Sequence, residues 1–115
     1  PYHAHNRLIA SVLMTPDERR HAARVIGEKL ARAKGPTAFV LPRGGIEGWD
    51  RPGEALHDAE GLGAFTDAMR GAVRPPAELI EIDAHINDPQ FCDTVLGVFD
   101  RWVAAGLVPR GRSEA

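Results

Sequence analysis

The chain has 115 residues, of which 43% are hydrophobic and 26% are charged, a composition typical of one small domain or of part of a larger one. Fourteen basic residues against sixteen acidic ones give a formal net charge of −2, so no nucleic-acid partner is expected. No apolar run is long enough to span a bilayer and the first residues do not form a signal peptide, which predicts a cytoplasmic protein without a membrane partner.

The first predicted strand covers residues 8–14, "LIASVLM", a continuous apolar run typical of strands that are buried on both faces of a parallel sheet. Thr15-Pro16-Asp17-Glu18 has the pattern of a capping box, so a helix is predicted to start there. Apolar residues then recur at helical spacing as far as Gly35-Pro36. We expect Gly35 to form a left-handed cap, with the helix ending near Lys34.

The second predicted strand covers residues 37–42, "TAFVLP", and a long loop rich in glycine and proline follows it. Loops of this length are usually functional. Asp58 is expected to cap a second helix, which ends before Arg74-Pro75-Pro76.

The third predicted strand covers residues 78–86, and its alternating pattern leaves one face largely polar. The last helix is predicted to start at Asp88-Pro89 and to end near Gly106, because apolar residues recur along it at helical spacing. Cys92 lies in this pattern and is expected to be an inert core thiol. Residues 107–115 are expected to form a flexible tail.

The order β-α-β-α-β-α predicts an α/β fold in which three parallel strands are flanked by helices, half of a Rossmann-like doubly wound domain. Residues 1–115 are expected to form one such domain or a fragment of one, since the sequence starts at Pro1 without methionine. Three strands leave two open edges. A partner α/β domain or a second subunit is therefore expected to cover them in an oligomer or a longer protein.

Ligands of open α/β sheets bind beyond the carboxyl ends of the strands, which selects the loops after the three predicted strands. Asp83 and His85 stand at i and i+2 on the polar face of the third strand, about 7 Å apart. They are candidates for a catalytic acid–base pair. The alternative is structural: His85 satisfies backbone groups and Asp83 pairs with a cation.

The candidate ligand-binding residues are Arg43, Gly44, Gly45, Asn87 and Thr15. Arg43 with its flexible glycines suits an anionic group, although the segment matches no standard nucleotide motif, and the alternative is that Arg43 is a solvated loop charge. Asn87 has a helix cap as its alternative role, and Thr15 lies in the capping box. Trp49 is either a lid or interface residue or a local plug. No metal site is predicted, because the two N-terminal histidines precede the first strand, opposite the strand ends with the other possible ligands, and the sequence has no HExxH motif or cysteine pair.

Several short motifs follow one another in the order found in a known family. They are His5-Asn6, Thr15-Pro16-Asp17-Glu18, Leu41-Pro42, Gly44-Gly45-Ile46, Asp50, Pro52-Gly53, Asp58 and Asp83-Ala84-His85-Ile86-Asn87-Asp88-Pro89-Gln90-Phe91. On these residues the chain resembles the C-terminal portion of the second α/β domain of the Tm-1-like ATP-binding family, which includes a plant inhibitor of tobamovirus replication and uncharacterised bacterial proteins.

The resemblance implies a two-domain parent protein with Rossmann-like sheets and an association with ATP, which makes ATP a possible cofactor. Glu47 stands where the family has a small hydroxyl residue, and this change makes the site less suited to anions. Three functions are therefore considered: a domain that contributes to a small-molecule or nucleotide pocket, an enzyme domain that uses Asp83 and His85 on a small carboxylate or phosphate, and an interaction module that docks a partner α/β domain.

Overall fold

The computed structural model describes residues 2–111, which form a mixed α/β domain. The elements in chain order are β1 Tyr2–Ala4, β2 Ala10–Val12, α1 Pro16–Leu30, β3 Ala38–Pro42, α2 Ala59–Ala72, β4 Glu78–Ile82 and α3 Pro89–Ala104. The α/β class is confirmed at this level. Of the predicted tail, residues 107–111 follow α3 outside any helix or strand, and the remainder lies outside the described residues.

The first strand departs from the prediction, because β2 pairs with β1 in an antiparallel hairpin and does not join the parallel sheet. The Asn6 side chain forms the turn: its Oδ1 accepts from the backbone N–H groups of Leu8 at 2.8 Å and Ile9 at 3.0 Å. This local reversal pairs the apolar run with residues 2–4. Leu8 is 94% exposed as a result, so the predicted burial of this run is wrong.

Within residues 2–111 the parallel sheet contains two strands, β3 and β4, in place of the three that were predicted. Their register pairs Ala38 with Glu78 and Pro42 with Ile82. Beyond the strand ends the chains stay joined, since the Gly44 N–H donates to the Ala84 carbonyl and the Ile86 N–H to the Gly45 carbonyl. The loop after β3 and the turn after β4 are therefore held side by side at the carboxyl edge of the sheet.

The capping box of α1 is confirmed: Thr15 Oγ1 accepts from the Glu18 N–H, and the Glu18 carboxylate accepts from the Thr15 N–H at 2.7 Å. The predicted end of the helix is wrong by four residues. The last regular residue is Leu30, and two i-to-i+3 turns follow. Gly35 has no positive φ and forms no left-handed cap.

Helices α1 and α2 pack closely against each other because Gly27 lies over Ala72. The core beneath them and β3 consists of Ala23, Leu41, Phe65, Met69, Val73 and Ala77. The bounds of α2 agree with the prediction, and Asp58 caps it through a bond from the Gly61 N–H at 3.0 Å. The two helices and β3 thus share the buried core of the domain.

Helix α3 has the predicted bounds, but its apolar side is only partly covered. Val98 is buried, whereas Val95, Leu96, Phe99 and Val103 are exposed. An open groove of about 350 Å³, the α3 groove, lies between this helix and β3. Cys92 is exposed, contrary to the core position expected of it. Within residues 2–111 no helix has the length and apolar character needed to cross a membrane.

Candidate functional site

An open cleft of about 450 Å³ lies where the end of the hairpin strand, the start of α1 and the loop after β3 meet. Its lining residues are Ser11, Val12, Leu13, Met14, Arg19, Ala22, Ile46, Glu47, Trp49, Asp50, Leu56 and Phe65. Most of the wall is apolar, and Arg19, Glu47 and Asp50 supply its ionisable groups. We refer to this space as the cleft.

The loop that forms one side of the cleft has a defined shape. Gly45 has φ +132°, and a Cβ there would lie 2.2 Å from the Asp50 carbonyl oxygen and 2.5 Å from His85 Cδ2. The Asp50 N–H donates to the Glu47 carbonyl at 3.1 Å, and the Leu56 N–H to the Trp49 carbonyl at 3.3 Å. Only glycine fits at position 45, and its close approach brings the loop onto the turn after β4.

Trp49 forms part of the wall and is covered by the hairpin. Its ring centroid lies 4.8 Å from that of His3 and 5.0 Å from that of His5. These histidines therefore act as aromatic neighbours of a tryptophan. Trp49 lines the cleft, and its role as a lid or interface residue or as a local plug stays a prediction.

Asp50 is the most deeply buried ionisable group of the cleft, with a side chain only 3% exposed. Its Oδ2 accepts from the Ile46 N–H at 3.3 Å, while Oδ1 has no hydrogen-bond partner within the described chain. The nearest basic group is His57, whose Nδ1 lies 3.7 Å from Oδ1, too far for a hydrogen bond. Glu47 Oε1 is likewise buried without a partner among residues 2–111. Two acceptors in one wall are thus unsatisfied.

Arg19 extends from the first turns of α1 into the same wall and is 7% exposed. Its Nε donates to the Met14 carbonyl at 3.2 Å, and its Nη2 lies 3.5 Å from Asp58 Oδ2. The guanidinium therefore joins the hairpin end to the cap of α2. Arg19 was missed in the sequence, although it stands four residues before the buried Ala23 and so shares its helix face.

His85 is 2% exposed, and both ring nitrogens bond to the backbone. Nδ1 accepts from the Asn87 N–H at 3.0 Å, so Nε2 carries the proton and donates to the Glu47 carbonyl at 2.8 Å. The ring thereby holds the cleft loop in place through the Glu47 carbonyl. His85 does not line the cleft.

Asp83 is not brought to His85. The predicted strand ends at Ile82, four residues early, so the alternation on which the pair was placed does not continue through these positions. The Asp83 side chain is 87% exposed and lies 3.9 Å from Arg43 Nη2. The two members of the predicted pair therefore occupy different surroundings, one solvent and one core.

Asp88 occupies the N-cap position of α3, but its side chain makes no capping bond. Oδ2 accepts from the His85 N–H at 2.8 Å, and Oδ1 from Arg51 Nη2 at 2.8 Å. The Arg51 bond, followed by the His85 N–H, holds the pKa of Asp88 below its usual value. Asp88 thus ties the long loop to the turn that carries His85.

Of the remaining predicted ligand-binding residues, Thr15 and Gly44 form hydrogen bonds within the fold. The Thr15 hydroxyl is part of the capping box. The Thr15 backbone N–H, followed by this hydroxyl, donates to the Glu18 carboxylate and lowers the pKa of Glu18. The Gly44 N–H is bonded to Ala84, and a Cβ on Gly44 would lie 2.7 Å from the Ala84 carbonyl carbon. Asn87 is exposed. Their part in ligand binding stays a prediction.

Comparison with known proteins places the chain in a family whose function is not known. A UPF0261 protein of Brucella melitensis biotype 1 is 59% identical over 111 residues, which cover 96% of this chain and 27% of that protein. One from Mesorhizobium japonicum is 29% identical over 101 residues, or 86% of this chain and 25% of the relative. The chain spans about a quarter of the length of these curated relatives.

The family match covers most of the chain and includes every residue of the candidate site. Residues 1–103 match the Uncharacterised protein family (UPF0261) C-terminal domain. The chain therefore belongs to the UPF0261 family, as its C-terminal domain.

Proposed function

We propose that this domain contributes one wall of a small-molecule binding pocket, and that the cleft is that wall. The observation that supports this most strongly is Asp50, whose carboxylate is almost fully buried while Oδ1 has no partner within residues 2–111. Buried polar atoms are nearly always paired, and one left unpaired costs about 1–3 kcal/mol. A donor group on a ligand would remove that cost.

The position of the cleft also favours a ligand site. Its loop follows β3, and the turn with His85 that holds this loop follows β4, so both lie at the carboxyl edge of the parallel strands. Pockets of α/β sheets commonly occur at this edge. Thr15 and Gly45 adjoin cleft residues in sequence, whereas Arg43, Asp83 and Asn87 are exposed and would touch only a ligand that extends outside the cleft.

Nucleotides are one class of ligand to test, since the resemblance to the Tm-1-like family implies an association with ATP. The unsatisfied acceptors of Glu47 and Asp50 would repel phosphate groups and would accept hydrogen bonds from a nucleoside. We therefore expect adenosine to bind at least as well as ATP.

The acid–base function proposed for Asp83 and His85 has no supporting contact among the described residues, because both His85 nitrogens are bonded to backbone groups. In the binding function His85 acts by positioning Glu47. A ligand that raises the melting temperature of the wild type but not that of His85→Ala would fit both functions. Asp83→Asn separates them, because an exposed carboxylate outside the cleft matters only to the acid–base function.

Tryptophan fluorescence offers a direct test, because Trp49 lines the cleft and Trp102 lines the α3 groove. In the Trp102→Phe variant, titration with adenosine and ATP should change the emission of Trp49 and reach saturation. In the matched Trp49→Phe variant the same titration should leave the emission unchanged. Saturable change in Trp49→Phe alone would assign binding to the α3 groove and refute the proposal for the cleft.

A second function, docking of a partner α/β domain, is favoured by the exposed side of α3. Phe99 is 48% exposed and Val103 49%, and the α3 groove beside them is lined by apolar side chains. Exposed apolar patches of this kind mark interaction surfaces. We propose that the remainder of the longer protein, which makes up about three quarters of the relatives, covers this side.

Oxidative footprinting tests this docking function. The side chains of Phe99 and Trp102 should be labelled readily in the 115-residue chain, and the segment that matches α3 should be protected in the full-length Brucella melitensis relative. The exposed hairpin residue Leu8 provides a second probe, which reports whether the added protein covers the whole domain or the α3 side specifically. Equal labelling of the α3 segment in both proteins would refute the docking function.

A further inference from the structure

We infer that the ligand of the cleft carries a cationic amine on an apolar body, and that Asp50 and Glu47 receive the amine. This inference rests on the proposed binding function and adds the ligand class. The family description assigns no ligand, and the prediction from Arg43 and the glycines pointed to an anion.

The charges around the cleft favour a cation. Two carboxylates, Glu47 and Asp50, each contribute an oxygen that is buried and unbonded within the described part of the chain. The single arginine of the wall, Arg19, already lies beside the Met14 carbonyl and the Asp58 carboxylate. Its charge is therefore largely balanced by Asp58, and the net field of Glu47 and Asp50 attracts a positive group.

An amine fits better than a neutral donor for a second reason. An ammonium group has three N–H donors and no acceptor, so one such group can bond to two carboxylates at once. Hydrogen bonds between ionised partners are about twice as strong as neutral ones. A hydroxyl has one donor and would leave one of the two oxygens unsatisfied.

The rest of the cleft suits an apolar body. Val12, Leu13, Ile46, Leu56 and Phe65 line it together with the indole of Trp49. A volume of about 450 Å³ lies within the usual range for small-molecule pockets. An aromatic or branched aliphatic group would fill the space, while the amine bonds to Glu47 and Asp50.

His57 is the competing partner for Asp50, and its distance makes it a weak one. Its Nδ1 lies 3.7 Å from Oδ1, and about a third of its side chain is exposed. Glu47 Oε1, in contrast, has no basic group at hydrogen-bond distance within residues 2–111. Even a shift of His57 would leave one carboxylate oxygen without a donor.

Three compounds of matched shape test the charge preference: 2-phenylethylamine, 2-phenylethanol and 3-phenylpropanoate. Each is titrated into the Trp102→Phe variant while Trp49 emission is followed. We expect the amine to bind at least about tenfold more tightly than the alcohol, and the acid to bind most weakly. The inference is overturned if the alcohol or the acid binds as tightly as the amine. Absence of any Trp49 response would instead count against the proposed binding function.

Substitutions then locate the effect. Asp50→Asn keeps an acceptor for the Ile46 N–H and removes the charge, so the affinity for the amine should fall about tenfold while that for the alcohol changes little. Glu47→Gln should have a similar selective effect and serves if Asp50→Asn is poorly folded. The matched control is Glu54→Gln, an exposed carboxylate of the same loop, which should keep the wild-type amine affinity. Equal amine affinity in all three variants would overturn the assignment.

Discussion

Gly45 is the residue on which the shape of the cleft loop depends most. Alanine at this position would have to adopt a positive φ, and its Cβ would lie 2.2 Å from the Asp50 carbonyl oxygen and 2.5 Å from His85 Cδ2. Neither atom can move easily, because one belongs to the backbone and the other to a buried ring. We expect Gly45→Ala to lower the free energy of unfolding by about 3 kcal/mol. Gly48 lies in the same loop with open space around it, so Gly48→Ala should change stability by less than about 0.5 kcal/mol. Urea unfolding of both variants measures the difference.

Asp88 should make the stability of the domain depend on acidic pH. Its pKa is lowered in the folded state by Arg51 and the His85 N–H, so its stabilising contribution is present above the unfolded-state pKa and is lost as pH falls through the folded-state pKa. Asp88→Asn should therefore flatten the loss of stability below about pH 4. Asp93→Asn on α3 controls for the loss of one charge. Parallel curves for wild type and Asp88→Asn would contradict this account.

The residues of the site were only partly predictable from the sequence. The loops after the first predicted strand and after β3 both contribute residues to the cleft, whereas the turn after β4 holds the cleft loop through His85 without lining the cleft. Asp50 and Glu47 were not selected as ligand groups, since their burial depends on the contact between Gly45 and His85, which are 40 positions apart. Strand alternation brought Asp83 and His85 to one face, but the strand ends before them.

At the scale of elements, the contact between α1 and α2 depends on a small residue at position 27. A Cβ on Gly27 would lie 2.5 Å from the Ala72 carbonyl oxygen and 2.7 Å from its Cβ. Gly27→Ala should force the helices apart and destabilise the domain by about 2 kcal/mol despite the better helix propensity of alanine. Gly63→Ala in α2 meets nothing within 4 Å and should stabilise by about 0.5–1 kcal/mol. A stabilised Gly27→Ala variant would refute this packing. Thermal unfolding of Gly27→Ala and Gly63→Ala measures both changes in stability.

The elements that were predicted well are those with local signals. The capping box of α1, the Asp58 cap of α2 and the bounds of α3 all follow from residues adjacent in sequence. The first strand was misassigned because an apolar run specifies burial without specifying its partner. The Asn6 turn supplied an antiparallel partner six to ten residues away, and this local pairing replaced the distant one.

For the whole molecule, the apolar pattern of α3 predicted the bounds of the helix correctly, but it could not show what covers the apolar side. An apolar stripe predicts that something covers the helix, and within the described chain β3 covers part of it. The chain spans about a quarter of the length of its relatives, and the proposed partner of the uncovered side is the remainder of the longer protein.

Phe99→Asp should cost less than about 1 kcal/mol of unfolding free energy in the 115-residue chain, because the Phe99 side chain is already half exposed. Chemical unfolding measures that cost, and a loss above 2 kcal/mol would contradict the exposure.

The central claim is that the cleft, and not the α3 groove, receives a small molecule. Amide chemical-shift mapping of the wild-type chain during titration with 2-phenylethylamine tests it most directly. We expect saturable shifts concentrated in residues 11–14 and 46–50, which form the cleft wall. Shifts confined to residues 91–102, or no saturable shifts in the cleft segments, would contradict it.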